Sequence, residues 1–392
     1  MIAPEPFFEA RGTPFSEYHR IRALVDLGHT VDLVTYPFGR DVTLPGLRVH
    51  RSWRPPFVQG VKVGPSLAKI PLDLLLALKA LHVALKWRFD YVHSHEEGGG
   101  IGLVLARLRG VPHLYDMHSS LPEQLSNFDF SRSRLLLGAF RALERRMLRG
   151  SASVIVICKR LEDVARAIAP RAHIVLIENA PGSTETSGGG ALVPVRERAG
   201  LDGGVPVVLY TGTFEAYQGL DLLFKAMRAV LEVRPKARLL LAGGKPDQVE
   251  RARRDAEREG LGHAAVFAGE RPAEEIPSYL AAADVLVSPR SRGTNTPLKI
   301  YQYLRAGRPI VATNLLTHTQ VLDGRVAELT EPTPAAFAAG ILRVLGDAEY
   351  AARLGRAAGE LAATRYTYAS YVARTREALG PIVARAAAGA AS

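Results

Sequence analysis

Along the whole chain, short unbroken apolar runs alternate with longer stretches in which apolar positions recur every three or four residues. The first pattern suits strands buried on both faces and the second suits helices with one face on a core, so their alternation predicts parallel strands joined by crossover helices. The class is α/β. In the first half, strands are predicted at residues 31–36, 91–95, 112–116, 154–157 and 174–177, with helices near 16–27, 66–86, 102–109, 134–149 and 160–168. The second half repeats the pattern, with strands at 205–210, 238–241, 265–267, 285–287 and 310–312. A helical pair at 335–345 and 348–363 and a last helix after Tyr371, running to about Ala384, complete it. Only Met1, Ile2 and Ala3 precede Pro4, where such a domain normally opens with a full buried strand; the first strand is expected to be truncated, as a late start would leave it.

Residues 181–190, Pro-Gly-Ser-Thr-Glu-Thr-Ser-Gly-Gly-Gly, cannot pack a core and suit a flexible connection. The expected organisation is therefore a first domain over 1–180, a linker at 181–190, a second domain over 191–365, a helix at 366–385 and a frayed alanine-rich tail at 386–392.

Composition narrows the class. The 392 residues, 47% of them hydrophobic, suffice for two domains with cores of their own, since domains run to roughly 100–200 residues. A mean hydropathy of +0.03, with every long apolar stretch broken by charge, argues against an integral membrane protein. The single cysteine, Cys158, excludes an intramolecular disulfide and a cysteine metal cluster. No apolar segment of secretory length follows Met1, so a reducing, cytoplasmic setting is expected.

A net charge of +11 favours anionic partners without naming one. Between residues 42 and 89, eight basic residues (Arg48, Arg51, Arg54, Lys62, Lys69, Lys79, Lys86, Arg88) face one acid, Asp73, among Trp53, Phe57, Trp87 and the leucines of 72–85. Two readings stand: a surface resting on anionic lipid headgroups at the membrane's inner face, or a core helix with a solvated basic face. Nucleic acid is not an expected partner, because no helix-turn-helix, zinc finger or aromatic RNA-binding signature accompanies the charge.

In open parallel sheets, ligands sit beyond the carboxyl ends of the strands, so the loops there carry the chemistry. Gly12, in Arg11-Gly-Thr-Pro14, would let a phosphate or sugar approach the backbone before a helix start; it equally serves as a turn. His118, in Asp116-Met-His-Ser-Ser120, is either a donor to a sugar hydroxyl or a satisfied loop histidine. His93 and His95 turn both imidazoles to one face of a strand, but nothing elsewhere completes a metal set, and no metal is expected.

The second half carries three polar strand-end loops. One contains Gly212, Thr213 and Gln218; another ends on Gly243 and Gly244; the third runs from Val287 through Arg290, Arg292, Thr294, Asn295 and Thr296 into a helix whose first turn is expected to hold Pro297, Leu298 and Lys299. A helix N-terminus with added positive charge suits a diphosphate, and a solvated basic turn is the alternative.

Taken in order, these pieces resemble family 4 of the glycosyltransferases, the retaining, nucleotide-sugar-dependent enzymes of the GT-B fold. The resemblance rests on the Gly12 loop, Ala23-Leu-Val-Asp-Leu-Gly-His-Thr-Val31, Val92-His-Ser-His95 and Asp116-x-His118 in the first half. In the second it rests on Ile177-Glu-Asn179, Tyr210-Thr-Gly212, Gln218-Gly-Leu-Asp-Leu-Leu223, Leu240-Leu-Ala-Gly243, the stretch 267–280 and Pro297-Leu-Lys-Ile-Tyr-Gln-Tyr-Leu304 with Gly307-Arg-Pro-Ile-Val-Ala-Thr313.

The resemblance implies two Rossmann-like, doubly wound domains facing across a cleft, with the acceptor on the first and the nucleotide-sugar donor on the second. It implies a last helix that crosses back to the first domain, and catalysis without metal, cofactor or protein nucleophile. By it, His118 contacts the donor sugar, Gly12 approaches the diphosphate, the main chain at Thr296–Lys299 holds phosphate or sugar, and the loop ending at Arg271 accepts the base. The sequence departs from the family in two places. The family's two glutamates, separated by seven residues, fall on Thr294 and Gln302, and its diphosphate-gripping Arg and Lys fall on Thr213 and Gln218, leaving Arg290, Arg292 or Lys299 to supply charge. The expected function is hexosyl-type transfer, with retention, to a polysaccharide, lipid-linked or glycolipid acceptor. Its competitors are a GT-B module that binds without transferring and a sugar-nucleotide epimerase. A dinucleotide oxidoreductase is weaker still, for want of a Gly-x-Gly-x-x-Gly after a strand.

Overall fold

A computed structural model describes residues 1–8, 12–58, 60–61, 69–123, 133–178, 193–201 and 204–390. The chain divides into two compact units, Met1–Pro181 with Tyr368–Ser392, and Gly182–Thr367. The linker expected at 181–190 lies outside the described residues.

In the first unit, strands β1 (Ile2–Ala3), β2 (Val31–Thr35), β3 (Leu47–Arg51), β4 (Val92–His95), β5 (His113–Met117), β6 (Ser153–Val156) and β7 (Ile174–Leu176) form one sheet. Helices α1 (Gly12–Asp26), α2 (Lys69–Lys86), α3 (Gly98–Arg109), α4 (Arg134–Gly150) and α5 (Lys159–Ile168) connect them. The spatial order is β3-β2-β1-β4-β5-β6-β7, and every neighbouring pair is parallel. The first strand is short: Ile2 and Ala3 pair with Val34 and Thr35 on one side, and Ile2 with Ser94 on the other.

The second unit contains β8 (Val207–Thr211), β9 (Arg238–Ala242), β10 (Ala265–Gly269), β11 (Val285–Ser288), β12 (Ile310–Thr313) and β13 (Glu328–Thr330), in the order β10-β9-β8-β11-β12-β13, again all parallel. Its helices are α6 (Val195–Arg198), α7 (Leu220–Val233), α8 (Pro246–Arg258), α9 (Ile276–Ala282), α10 (Leu298–Ala306), α11 (Leu316–Thr319), α12 (Pro334–Gly346) and α13 (Ala348–Arg365). Leu223, Met227 and Val230 repeat at helical spacing along α7 and join Phe337, Ile341 and Val344 of α12 in one core over β8 and β9. Each such side chain stabilises the unit by about 1.5–3 kcal/mol on burial.

Both sheets wind outward from a central strand and then reverse, between β1 and β4 and between β8 and β11. These reversals are the switch points at which open parallel sheets bind ligands.

Four differences from the sequence reading have physical causes. The edge strands β3 and β13 escaped it: an edge strand is short and partly exposed, so Leu47-Arg-Val-His-Arg51 shows no buried run. Helix α3 begins at Gly98, not 102, because its glycines pack against the sheet; a Cβ at Gly99 would lie 2.6 Å from Met147 Sδ and Tyr115 Cε2. The last helix, α14 (Tyr368–Ala390), starts earlier than Tyr371 and carries residues 386–390, where a frayed tail was expected. It packs on the first unit, as the resemblance implied, placing Tyr371, Ala378, Leu379 and Ile382 in a core with Ile21, Leu24, Ile155 and Val175.

The fourth concerns the basic stretch. Arg48 and Arg51 belong to β3, Lys69 pairs with Glu97 at 2.7 Å, and Lys62 lies outside the described residues. Helix α2 buries Leu72, Leu76, Ala80, Val83 and Ala84, yet its other face presents Ile70, Leu74, Leu78, Leu81 and Leu85 to solvent, between 42% and 71% exposed. The outward face is thus apolar, not a solvated basic one. Among the described residues, no helix is long and apolar enough to cross a membrane.

Candidate functional site

At the first switch point, β4 turns His93 and His95 to one side of the sheet, their rings stacked with centroids 4.9 Å apart. Parallel pairing sets Asp116 of β5 opposite His95. Helix α1 adds Glu17 and Arg20, one turn apart, and the loop after β5 adds His118. All six side chains are buried. Arg20 Nε donates to Asp116 Oδ2 at 2.9 Å, and His118 Nε2 lies 3.1 Å from Asp116 Oδ1. His93 Nε2 and His95 Nε2 stand 3.5 and 4.0 Å from Oδ2. Just after β4, Glu96 adopts a left-handed backbone with φ of 47°, rare outside glycine and concentrated at functional sites.

Burial separates these groups electrostatically. It works against charge on Asp116, but Arg20 and then His118 outweigh it and hold the carboxyl well below its usual range. It likewise opposes charge on His118, but Asp116, followed by Glu96 and Glu5, raises that imidazole above its ordinary value. His93 falls to about 4 and His95 well below normal, chiefly through burial, so both are neutral near pH 7. Glu17 is pushed well up by burial and then by Glu5. The result is a fixed carboxylate between a guanidinium and an imidazole whose protonated form it favours. His93, His95 and Asp116 also bring three ligand-type atoms within 4.8 Å of one another, so Asp116 supplies in space the third group that the histidine spacing lacked in sequence. Arg20 also pairs with Asp116 Oδ2, so the same carboxylate takes part in an ion-paired network.

At the second switch point the three polar loops come together, and glycine makes that approach possible. Gly243 has φ of 127°, and a Cβ there would lie 2.0 Å from Gly212 O; Gly219 has φ of 76°, and its Cβ would lie 2.0 Å from Pro289 O. Gly243 N also donates to Gly269 O at 2.7 Å, drawing in the strand end that precedes Arg271. Arg271 itself is exposed and donates to its neighbour Glu270 O.

Lys299, in the first turn of α10, is buried, with Nζ 3.9 Å from the Tyr210 ring centroid and 3.4 Å from Gln218 Oε1. Gln218 reaches on to Thr213 Oγ1 at 3.5 Å, the limit of a hydrogen bond. Arg290 donates through Nη1 to Asn295 O at 2.9 Å and Thr317 Oγ1 at 3.1 Å, its guanidinium 5.0 Å from the Tyr217 ring centroid. Thr294 O accepts from Gln320 Nε2 at 2.7 Å. Among the described residues, no carboxylate pairs with Lys299 or Arg290, and the buried Arg290 Nε and Thr296 Oγ1 lack hydrogen-bond partners. Burial, with Arg290 adding to it, pushes Lys299 well below the usual lysine value, and burial lowers Arg290 too.

Gly212, Thr213, Gln218, Gly243, Arg290, Thr294, Asn295 and Lys299 therefore share one end of the second sheet. Pro297 caps α10 from just before Leu298 and does not stand inside its first turn. Gln302 lies exposed on α10, one turn beyond Lys299, and Arg292 is exposed as well. Gly12 opens α1, and His118 belongs to the first unit. Sequence reading missed Glu17, Arg20 and Thr375; for Glu17 and Arg20 the signal available was charge on the core face of α1, beside Ile21 and Leu24.

The family described as "Glycosyl transferases group 1" matches residues 205–347, and that described as "Glycosyl transferase 4-like domain" matches residues 18–180. The chain is 27% identical over 292 residues to alpha-D-kanosaminyltransferase of Streptomyces kanamyceticus, covering 70% of this chain and 73% of that one. It is 27% identical over 363 residues to D-inositol 3-phosphate glycosyltransferase of Acidothermus cellulolyticus, covering 83% and 75%. Among solved structures, Anabaena HepE in complex with UDP superposes with a TM-score of 0.72 at 17% identity, covering 96% of this chain and 98% of that one.

Proposed function

We propose, from the premise that this chain belongs to the glycosyl transferases group 1 and is a glycosyltransferase of GT-B fold, that it draws its sugar from a nucleoside diphosphate sugar held at the second sheet's switch point. The observation that carries this reading is Lys299: a buried lysine whose charge burial opposes, with no carboxylate partner among the described residues, beside buried Arg290 Nε and Thr296 Oγ1 that lack hydrogen-bond partners there. A buried cation costs several kcal/mol unless an anion meets it. A diphosphate at the N-terminus of α10 supplies that anion, and the helix dipole adds to the attraction. HepE, whose fold this chain shares, is described in complex with UDP.

The reaction retains the anomeric configuration. Arg290, Lys299 and the α10 amides balance charge on the departing diphosphate. In the first unit, His118, whose protonated form is favoured by Asp116, is the candidate donor to a sugar hydroxyl. The acceptor is a hydroxylated compound, as D-inositol 3-phosphate is for the Acidothermus relative. The apolar outward face of α2, ringed by Lys79, Lys86, Arg48, Trp53 and Trp87, supports an acceptor that is lipid-linked and met at an anionic membrane surface.

The deciding experiment is a thermal-shift panel of UDP, GDP, ADP and dTDP and their sugars, followed by assays for nucleoside diphosphate release and the anomeric configuration of the product. Shifts with release support the reading. Shifts without release under any acceptor support a binding module, and release of an isomerised nucleotide sugar supports an epimerase. Absence of any shift overturns the donor site.

A further inference from the structure

We propose that Arg20 is a positioning residue for His118 and that the last helix, α14, sets it through Tyr371 and Thr375. The proposal rests on the reading of His118 as a hydrogen-bond donor to a sugar hydroxyl. Arg20 is among the largest fully buried side chains of the protein. It lies on the core face of α1 beside Ile21 and Leu24, where an apolar side chain would pack without the cost of burying a charge.

Three contacts fix the guanidinium. Nε donates to Asp116 Oδ2 at 2.9 Å, Nη1 donates to Thr375 Oγ1 at 3.1 Å, and Cζ lies over the Tyr371 ring, 4.8 Å from its centroid. Thr375 Oγ1 donates its own proton to Tyr371 O at 2.8 Å, which turns a lone pair toward Arg20. One contact therefore comes from β5 and two from α14.

The consequence falls on Asp116. Its Oδ2 has rival partners in His93 Nε2 at 3.5 Å and His95 Nε2 at 4.0 Å. A permanent cation at 2.9 Å outcompetes two neutral imidazoles and locks the carboxylate plane. The locked plane keeps Oδ1 3.1 Å from His118 Nε2, an ion-pair contact whose charge holds the imidazole beside it. The chain passes from the second unit to the first between Thr367 and Tyr368, so the two clamping residues stand in the first turns after that crossing.

The test compares Arg20→Met, Arg20→Lys, Thr375→Val and His118→Gln in the full-length chain. Readouts are thermal melting, UDP and GDP affinity by calorimetry, and kcat and KM for hydrolysis of UDP-glucose and GDP-mannose without acceptor. Thr375→Val is expected to melt a few degrees below wild type, as loss of one buried hydrogen bond does, and keep nucleoside diphosphate affinity within about twofold, while kcat falls about 3–10-fold. Arg20→Met is expected to lower kcat about 100-fold, the scale of an ångström of misplacement. Arg20→Lys should recover part of that loss, since an ammonium pairs with Asp116 but cannot also bridge to Thr375 and stack on Tyr371. If Arg20→Met does not fold, Thr375→Val and Arg20→Lys decide. Wild-type kcat in both overturns the proposal, as does a fall in kcat that only parallels lost melting temperature and lost nucleotide affinity. Full activity of His118→Gln, or a wild-type chain that binds neither nucleotide sugar, overturns the underlying reading as well. An inactive His118→Gln beside fully active Arg20 and Thr375 variants overturns this proposal alone.

Discussion

Lys299 shows how one residue can be a liability to the fold and an asset to the site. Its ammonium has an aromatic face and an amide oxygen for company but no counter-charge among the described residues. Lys299→Met removes the buried charge while keeping most of the volume, so the ligand-free protein should melt about 2–4 °C higher for each kcal/mol recovered. Calorimetry should show nucleoside diphosphate affinity at least about tenfold weaker, on the scale of a charge-assisted hydrogen bond. A lower melting temperature with unchanged affinity would remove Lys299 from the donor site. The pH dependence has a definite sign: the folded pKa lies below the unfolded one, so the folded protein binds fewer protons and this group's contribution to stability rises with pH up to about 10.4. Lys299→Met should abolish that rise in urea titrations.

At the scale of elements, loops and helix faces matter more than single contacts. The loops after β8 and β9 touch because residue 243 is glycine: a Cβ there would lie 2.0 Å from Gly212 O. Gly243→Ala should destabilise the second unit by more than about 1 kcal/mol, since neither φ nor space suits alanine, and should weaken nucleoside diphosphate binding in the thermal-shift panel. Retained binding and stability would show that the loops can part without loss. The outward face of α2 is the other such element. Leu74→Glu with Leu78→Glu touches side chains 63% and 48% exposed, so melting should change by no more than about 0.5 kcal/mol per site. Flotation with vesicles containing anionic lipid should be lost. Wild-type flotation should itself weaken with salt, as headgroup attraction does; flotation indifferent to both the substitutions and salt would return α2 to a purely structural role.

Across the whole molecule, buried titratable groups tie stability to pH. His318, held by Ser288 Oγ at 2.8 Å and by Thr313, is pushed down to about 3, chiefly by burial. It takes up a proton more readily unfolded than folded, so its contribution is complete above pH ~6.5 and is lost progressively as pH falls toward the folded value. Compared with wild type, His318→Gln should lose less stability between about pH 6.5 and 5 in urea titrations; identical slopes would mean that His318 is not neutral in the fold. Much of this architecture was legible in the sequence. Continuous apolar runs mark strands buried on both faces, and the alternation with helical spacing permits little but parallel sheets, while Gly243, Arg290 and Lys299 stood out because polar strand-end loops have few other reasons to exist. The edge strand β3 was not legible, because a strand with one partner needs no continuous apolar run. Nor was the network around Asp116, whose partners come from positions as far apart as Arg20, His93 and, through Arg20, Thr375. Local pattern determined which segments are strands and helices, because burial on one or both faces leaves a period in the chain. Only the tertiary structure decided which charges meet, because a buried ion is settled by whatever partner the fold brings within hydrogen-bond reach, and no period in the sequence records that.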